Sequence, residues 1–183
     1  MEMMPNIYGY HVNDKERCLK FLSNEEFLII SEDTYWMGEG MYFWDNVGNS
    51  KYWKSVKLKQ DGSKEYLTVQ ANIFIDEDKL LDLTDEEQVE LIERYWELYC
   101  KLDKCDKNPP LGIKIDKLVK FFEEHTGHHI SIIKAIGDYN INQNKFDYLR
   151  YNNKFNGPQI RGNLRTIYCI RDYNIVKARK IKE

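Results

Sequence analysis

Sixteen residues, Gly38–Trp53 (GEGMYFWDNVGNSKYW), collect the side chains best suited to chemistry. Two glycines flank Glu39 and permit a tight turn with a close backbone approach. The aromatic run Tyr42–Phe43–Trp44 follows, then a polar break over Asp45–Asn49, then Ser50 and Trp53. An electron-rich ring attracts a cation across its face, and a hydroxyl beside it bonds an amide. Together they suit a planar, cationic amide ligand. The same stretch also fits an ordinary buried strand and helix whose aromatics are core.

Placing these groups requires a strand over Met41–Trp44 and a helix capped by Asn46, on which Ser50 and Trp53 share a face. Upstream, Asn6–Val12 (NIYGYHV) predicts a strand ending in a histidine, and Asn13 with Glu16 has capping-box spacing for a helix over 14–22. Phe27–Ile30 predicts a short strand and Ser31–Met37 a loop. Downstream, Glu65–Ile75 predicts a strand that Leu80–Leu83 continues, and Thr84 with Glu87 predicts a second capping box. Apolar stripes predict helices over 85–100 and 115–125, the latter stopping near Gly127, with a short third helix over 129–136. Phe146–Gly162 predicts a loop, and Arg165–Arg171 and Ile175–Ile181 two closing strands paired through Asp172–Asn174.

The 183 residues suit one domain with a sizeable core. A net charge of −3 gives no global basic field for nucleic acid, and Lys177, Arg179, Lys180 and Lys182 form a local basic tail. The chain shows no secretory leader and no apolar run long enough to span a bilayer, so the expected setting is cytoplasmic and away from the membrane. Cys18, Cys100, Cys105 and Cys169 are scattered, which predicts reduced thiols. His125, His128 and His129 with Cys100 and Cys105 match no familiar zinc spacing, and no metal site is expected.

Gly38, Gly40, Met41, Tyr42, Phe43, Ser50 and Trp53 fill every position of a known block. The chain here resembles the G-x-G-[I/M]-Y-F-x6-S-x2-[Y/W] segment of the ADP-ribosyltransferases, in the poly(ADP-ribose) polymerase or diphtheria-toxin-like branch. That family opens on a strand bearing a histidine, usually followed by glycine; Tyr10-His11-Val12 stands there, with Val12 replacing the glycine. Its penultimate core strand carries x-E-Y-x-[V/I]-x-D, which Thr166–Asp172 matches with Ile167 in the glutamate position. The pattern is therefore the histidine-tyrosine-isoleucine variant.

The resemblance implies an α+β fold of two packed, mainly antiparallel sheets over residues 1–183, with a helical insertion at about 85–137. It implies that NAD is the substrate. His11 would bond the 2′-hydroxyl of the nicotinamide-side ribose, and the backbone of Val12 would hold the carboxamide. Tyr42 and Trp53 would stack on the nicotinamide, and Ser50 would bond its amide. The acceptor would meet a loop over Tyr151–Leu164 that includes Gln159 and Arg161, and Gln159 is the candidate to stand in for the missing carboxylate. Loss of glutamate argues against polymer synthesis more than against single transfer. The expected activity is mono-ADP-ribosylation of a protein, RNA or DNA acceptor by a microbial toxin or defence effector, for which an antitoxin partner would be needed. Two other readings stay open: a catalytically inactive nucleotide-binding relative, and an unrelated α+β interaction domain.

Overall fold

Strand β1 (Asn6–Asp14) sets the frame, because it pairs with both halves of the sheet and buries Gly9, His11 and Val12. The computed structural model describes residues 5–103, 108–138 and 164–183. After β1 come α1 (Lys15–Ser23), β2 (Ser31–Asp33), β3 (Gly38–Trp44), α2 (Val47–Gln60), β4 (Tyr66–Phe74) and β5 (Leu80–Asp82). Helices α3 (Glu86–Asp103) and α4 (Leu111–Thr126) follow, then β6 (Ile132–Asp138), β7 (Leu164–Ile170) and β8 (Val176–Ile181).

The fold is α+β. The strands run in the order β5-β6-β7-β3-β1-β4-β8, with β2 added to β3, and every pairing is antiparallel except β5 with β6. β1 pairs with β4 from Asn6 opposite Phe74 to Asp14 opposite Tyr66, yet meets β3 only where Tyr10 faces Trp44. The expected two sheets are thus two halves of one path, joined at a single position.

Alternation along the strands feeds two cores. On one face, Met41, Phe43, Val69, Ile73 and Ile170 pack against Cys18 and Phe21 of α1. On the other, Trp44, Ile133, Ile167 and Cys169 pack against Ile115 and Val119 of α4. Phe21 and Phe43 are fully buried with ring centroids 6.2 Å apart, each burial being worth roughly 2–3 kcal/mol. Helix α3 rests on α4 through Trp96, Cys100 and Leu118. These are the two long helices expected between residues 85 and 137, and α4 ends at Gly127, whose φ of 72° suits glycine.

Several local expectations are corrected. Asp14, not Asn13, caps α1 by accepting from Arg17 N–H, and Asn13 instead turns toward His11. Phe27–Ile30 is not a strand. Its backbone is met by side chains, the Arg179 guanidinium donating to Phe27 C=O and Ile29 N–H donating to Met41 Sδ, and the strand begins at Ser31 within the expected loop. Leu80–Asp82 does not continue β4. A single 3-10 turn at Glu77–Lys79 intervenes, and β5 pairs parallel with β6. The short helix expected at 129–136 is β6, since its isoleucine-rich run is claimed by strands on both sides. Asp85, rather than Thr84, accepts the Glu87 N–H at the start of α3. Finally, β7 and β8 are not paired: the turn at Tyr173–Ile175 sends β8 to the far edge beside β4. Cys18 and Cys169 are free and buried, whereas Cys100 is disulfide-bonded, against the expectation of four reduced thiols.

Candidate functional site

Beyond the Tyr10–Trp44 pair β1 and β3 diverge, and a cleft of about 330 Å³ opens between them. His11, Val12 and Asn13 of β1 line it, with Tyr42 and Trp44 of β3, Trp53 and Lys57 of α2, and Ile167 of β7. Arg17 of α1, the segment Ile29, Ile30 and Ser31, and Trp36 from the turn before β3 complete the wall. The volume is at the small end of the range for ligand sites.

His11 crosses the gap. Its Nδ1 lies 2.6 Å from the carbonyl oxygen of Tyr42, so Nδ1 carries the proton and donates it. The side chain thereby replaces a ladder bond that the diverging strands do not make. Nε2 keeps its lone pair, which Asn13 Nδ2 approaches at 3.3 Å. Burial is the largest influence on the imidazole and pushes its pKa from 6.5 down to about 4. The Tyr42 carbonyl opposes that shift and the Lys57 charge adds to it. At neutral pH His11 is an uncharged hydrogen-bond acceptor facing the cleft.

The Tyr42 hydroxyl is committed to the fold, donating to Gly38 C=O at 2.7 Å and accepting from Met37 N–H at 3.1 Å. Gly38 can close this turn because its φ is 75°. The Tyr42 ring therefore stands at a fixed angle, edge-on to Trp36 at 6.5 Å between centroids. Across the cleft Trp53 tilts against Trp44 at 6.2 Å, and Lys57, one turn further along α2, places its ammonium 5.3 Å from the Trp53 ring centroid.

Ile167 is only 2% exposed and forms the apolar floor, opposite Trp44 on β3 and Ala135 on β6. No Asp or Glu is among the described residues lining the cleft, whose only charges there are Arg17 and Lys57. Ser50 lies apart from the lining: it is fully buried on α2 and donates its hydroxyl to Val47 C=O at 2.8 Å. Gln159 and most of Tyr151–Leu164 lie outside the described residues. The structure thus gathers His11, Val12, Tyr42, Trp53 and Ile167 and adds Asn13, Arg17, Trp36, Trp44 and Lys57 with the segment Ile29, Ile30 and Ser31. Of the added residues only Trp44, in the aromatic run, and Lys57, by its four-residue spacing from Trp53, had a sequence signal toward the site.

Neither free cysteine is among the residues lining the cleft, although Cys169 sits opposite Tyr42 in the sheet. Burial raises the Cys18 and Cys169 thiols to about 11 and about 12, so neither is a thiolate at neutral pH. The histidines expected outside any metal site are engaged locally, His125 Nδ1 with Phe121 C=O at 2.8 Å and His129 Nδ1 with Glu123 at 2.6 Å. Among the described residues there is no group of three His, Cys, Asp or Glu that could hold a metal ion, and no helix is long and apolar enough to cross a membrane.

The site defines an α+β chain with an aromatic, positively charged cleft at the split of a mainly antiparallel sheet. No family model and no solved structure matches it. It is similar to the uncharacterized protein MJ0359 of Methanocaldococcus jannaschii, at 25% identity over 134 residues, covering 69% of this chain. The chain spans 63% of that protein's length.

Proposed function

We propose that the protein is a mono-ADP-ribosyltransferase that takes NAD as substrate and modifies a macromolecular acceptor. One observation carries the reading. His11, Tyr42 with Trp53, and Ile167 come from three separate blocks of the resemblance, and all of them line one cleft. The residues present suit the substrate. Aromatic rings match a flat cationic ring, the His11 Nε2 lone pair matches a ribose hydroxyl, and Arg17 with Lys57 match a diphosphate.

In the transfer the C1′–nitrogen bond breaks and its electron pair leaves with neutral nicotinamide. The acceptor atom forms its bond to C1′ and gives up its proton to water. Positive charge on the ribose peaks between the two events, as in glycoside cleavage. His11 accepts the 2′-hydroxyl proton in a hydrogen bond and fixes the sugar without adding a like charge, because burial keeps it neutral. Trp53 and the pinned Tyr42 ring orient the leaving group. Reaching Nε2 requires the ribose to displace Asn13 or share the site with it. A toxin or defence role with an antitoxin belongs to the same proposal and rests on the resemblance.

The test is NAD binding by calorimetry beside nicotinamide release in cell lysate, for the wild type and for Tyr42→Ala and Trp53→Ala. Binding and release that both fall in the variants support the reading, and no NAD binding by a folded wild type overturns it. A second reading, an inactive nucleotide-binding relative, is favoured by the Ile167 floor and by a described lining without a carboxylate. Binding without release by the wild type, with release gained in Ile167→Glu, would select it.

A further inference from the structure

We infer that a second opening of the same split binds an organic cation, the guanidinium or alkylammonium head of a small molecule or of a protein side chain. The ladder between β1 and β3 stops on both sides of the Tyr10–Trp44 pair. On the side away from His11, β1 runs back through Tyr8 and Ile7, while the chain leaves β3 at Asp45 and turns into α2. The gap there has a volume of about 400 Å³, walled by Ile7, Tyr8, Tyr10, Asp45, Val47 and Tyr168 together with the capping Asn46. The two openings are neighbours, because Tyr10 and His11, Trp44 and Asp45, and Ile167 and Tyr168 each divide between them. Their charges are opposite. The described lining of the first carries Arg17 and Lys57 and no carboxylate; that of the second carries Asp45 and no Lys, Arg or His.

Asp45 is held in place rather than left to swing. Its Oδ1 accepts from Nδ2 of Asn46 and of Asn49, each at 2.8 Å, and its N–H donates to Thr166 C=O at 3.4 Å. Among the described residues it is in no ion pair. Three of the seven described lining residues are tyrosines, so the same opening presents aromatic rings, whose faces attract cations. Tyr8 stands at the rim, 56% exposed, and Tyr168 at the base, 8% exposed. Burial raises the Tyr168 phenol, with Lys134 opposing and Asp45 adding to the shift, so the carboxylate acts on the hydroxyl across the opening. Lys134 is itself paired with Asp82 at 2.7 Å. A helix N-terminus ordinarily favours an anion. Here Asn46 already accepts the Asn49 N–H, and the full charge of Asp45 outweighs the roughly +0.5 charge of a helix end.

This site makes no use of NAD and does not rest on the transferase reading. The test is an amide-resolved NMR titration of the full chain at low salt. The probes are methylguanidinium, tetramethylammonium, N-acetyl-arginine amide, its uncharged counterpart N-acetyl-citrulline amide, and inorganic phosphate. The expected result is that a cation shifts the Tyr8, Asp45 and Val47 amides saturably and the citrulline counterpart does not. Tighter binding of N-acetyl-arginine amide than of methylguanidinium assigns the site to a protein side chain, and the reverse order to a small molecule. Asp45→Asn keeps an oxygen for the Asn46 and Asn49 amides, and Tyr8→Leu changes an exposed position, so both variants should give the dispersed spectrum of a folded chain. Cation affinity should fall about fivefold in Asp45→Asn and about threefold in Tyr8→Leu, with NAD affinity unchanged in both. The proposal is overturned if no cation gives a saturable shift, if the citrulline counterpart binds as well, or if Asp45→Asn binds cations as wild type does. It is overturned equally if phosphate shifts these amides and the cations do not. If a cation binds here and NAD does not bind at all, this site stands and the transferase reading falls.

Discussion

Replacing His11 with asparagine should flatten the acid limb of the stability curve. The imidazole titrates at about 4 in the folded chain against an ordinary value of 6.5, so between those two pH values the unfolded chain holds a proton that the folded chain refuses. Stability therefore rises with pH across this window, is complete above about 6.5, and is lost as pH falls toward 4. The difference of about 2.5 units, at about 1.4 kcal/mol per unit, is worth ~3 kcal/mol. Asp61 and Asp82 also lose stability on acidification, because both carboxyls lie low in the folded chain. The first is held by hydrogen bonds from Ser63. The second is held down by Lys134 and Thr84 against the upward push of burial. Both are present in either protein, so they cancel in the comparison. Urea unfolding followed by tryptophan fluorescence at pH 4 and pH 7 gives the four free energies needed. The wild-type loss on going to pH 4 should exceed that of His11→Asn by ~3 kcal/mol. Parallel pH profiles would refute the argument, because they would mean that His11 takes up its proton as readily folded as unfolded.

Trp53→Ala should weaken NAD by roughly 5- to 30-fold through loss of ring contact, measured by calorimetry. Arg17→Gln and Lys57→Gln should each weaken NAD while leaving nicotinamide riboside, which has no phosphate, bound as before; equal losses for both ligands would remove the diphosphate role. Gly38→Ala forces a left-handed φ of 75° on a side chain whose Cβ would overlap the Asp116 carboxylate. That carboxylate holds both Glu39 N–H and Arg171. The expected loss of ~2 kcal/mol is a fall in Tm of about 4–8 °C by differential scanning calorimetry.

What the sequence made legible follows the range of the interactions. The β3 strand and the α2 helix, with its Asn46 cap, were readable because Gly38–Trp53 carries its turn, strand and cap signals within sixteen residues. The amphipathic stripes of α3 and α4 were readable for the same reason. The identity of β6 was not, because Ile132, Ile133 and Ala135 are strand residues only by virtue of β5 and β7, which are remote in sequence. Nor could local pattern pair β8 with β4 rather than with β7, since the choice lies in how the turn at Tyr173–Ile175 is directed. In the cleft, resemblance supplied His11, Tyr42, Trp53 and Ile167. Arg17 and Trp36 carry no motif and enter only because α1 and the turn before β3 fold over the gap, whereas Asn13, read as a cap, enters beside His11 on β1.

That gap is the physical link between fold and site. Had β1 continued to pair with β3, His11 would face Phe43 in a closed ladder and the carbonyl of Tyr42 would be met by backbone. Because the ladder stops at Tyr10 and Trp44, the Tyr42 carbonyl needs a side-chain donor, and His11 Nδ1 supplies it. A buried carbonyl left unmet would cost about 1–3 kcal/mol, so the histidine is held in one tautomer by a structural need. The same bond turns Nε2, with its lone pair, toward the cleft. Burial, which makes that bond valuable, also keeps the ring neutral. Under the proposed transfer, a protonated His11 would add a third cation to Arg17 and Lys57 beside the ribose on which positive charge would develop. In that proposal His11 serves only as a hydrogen-bond acceptor. The split in the sheet, and no neighbouring carboxylate among the described residues lining the cleft, is what makes it one.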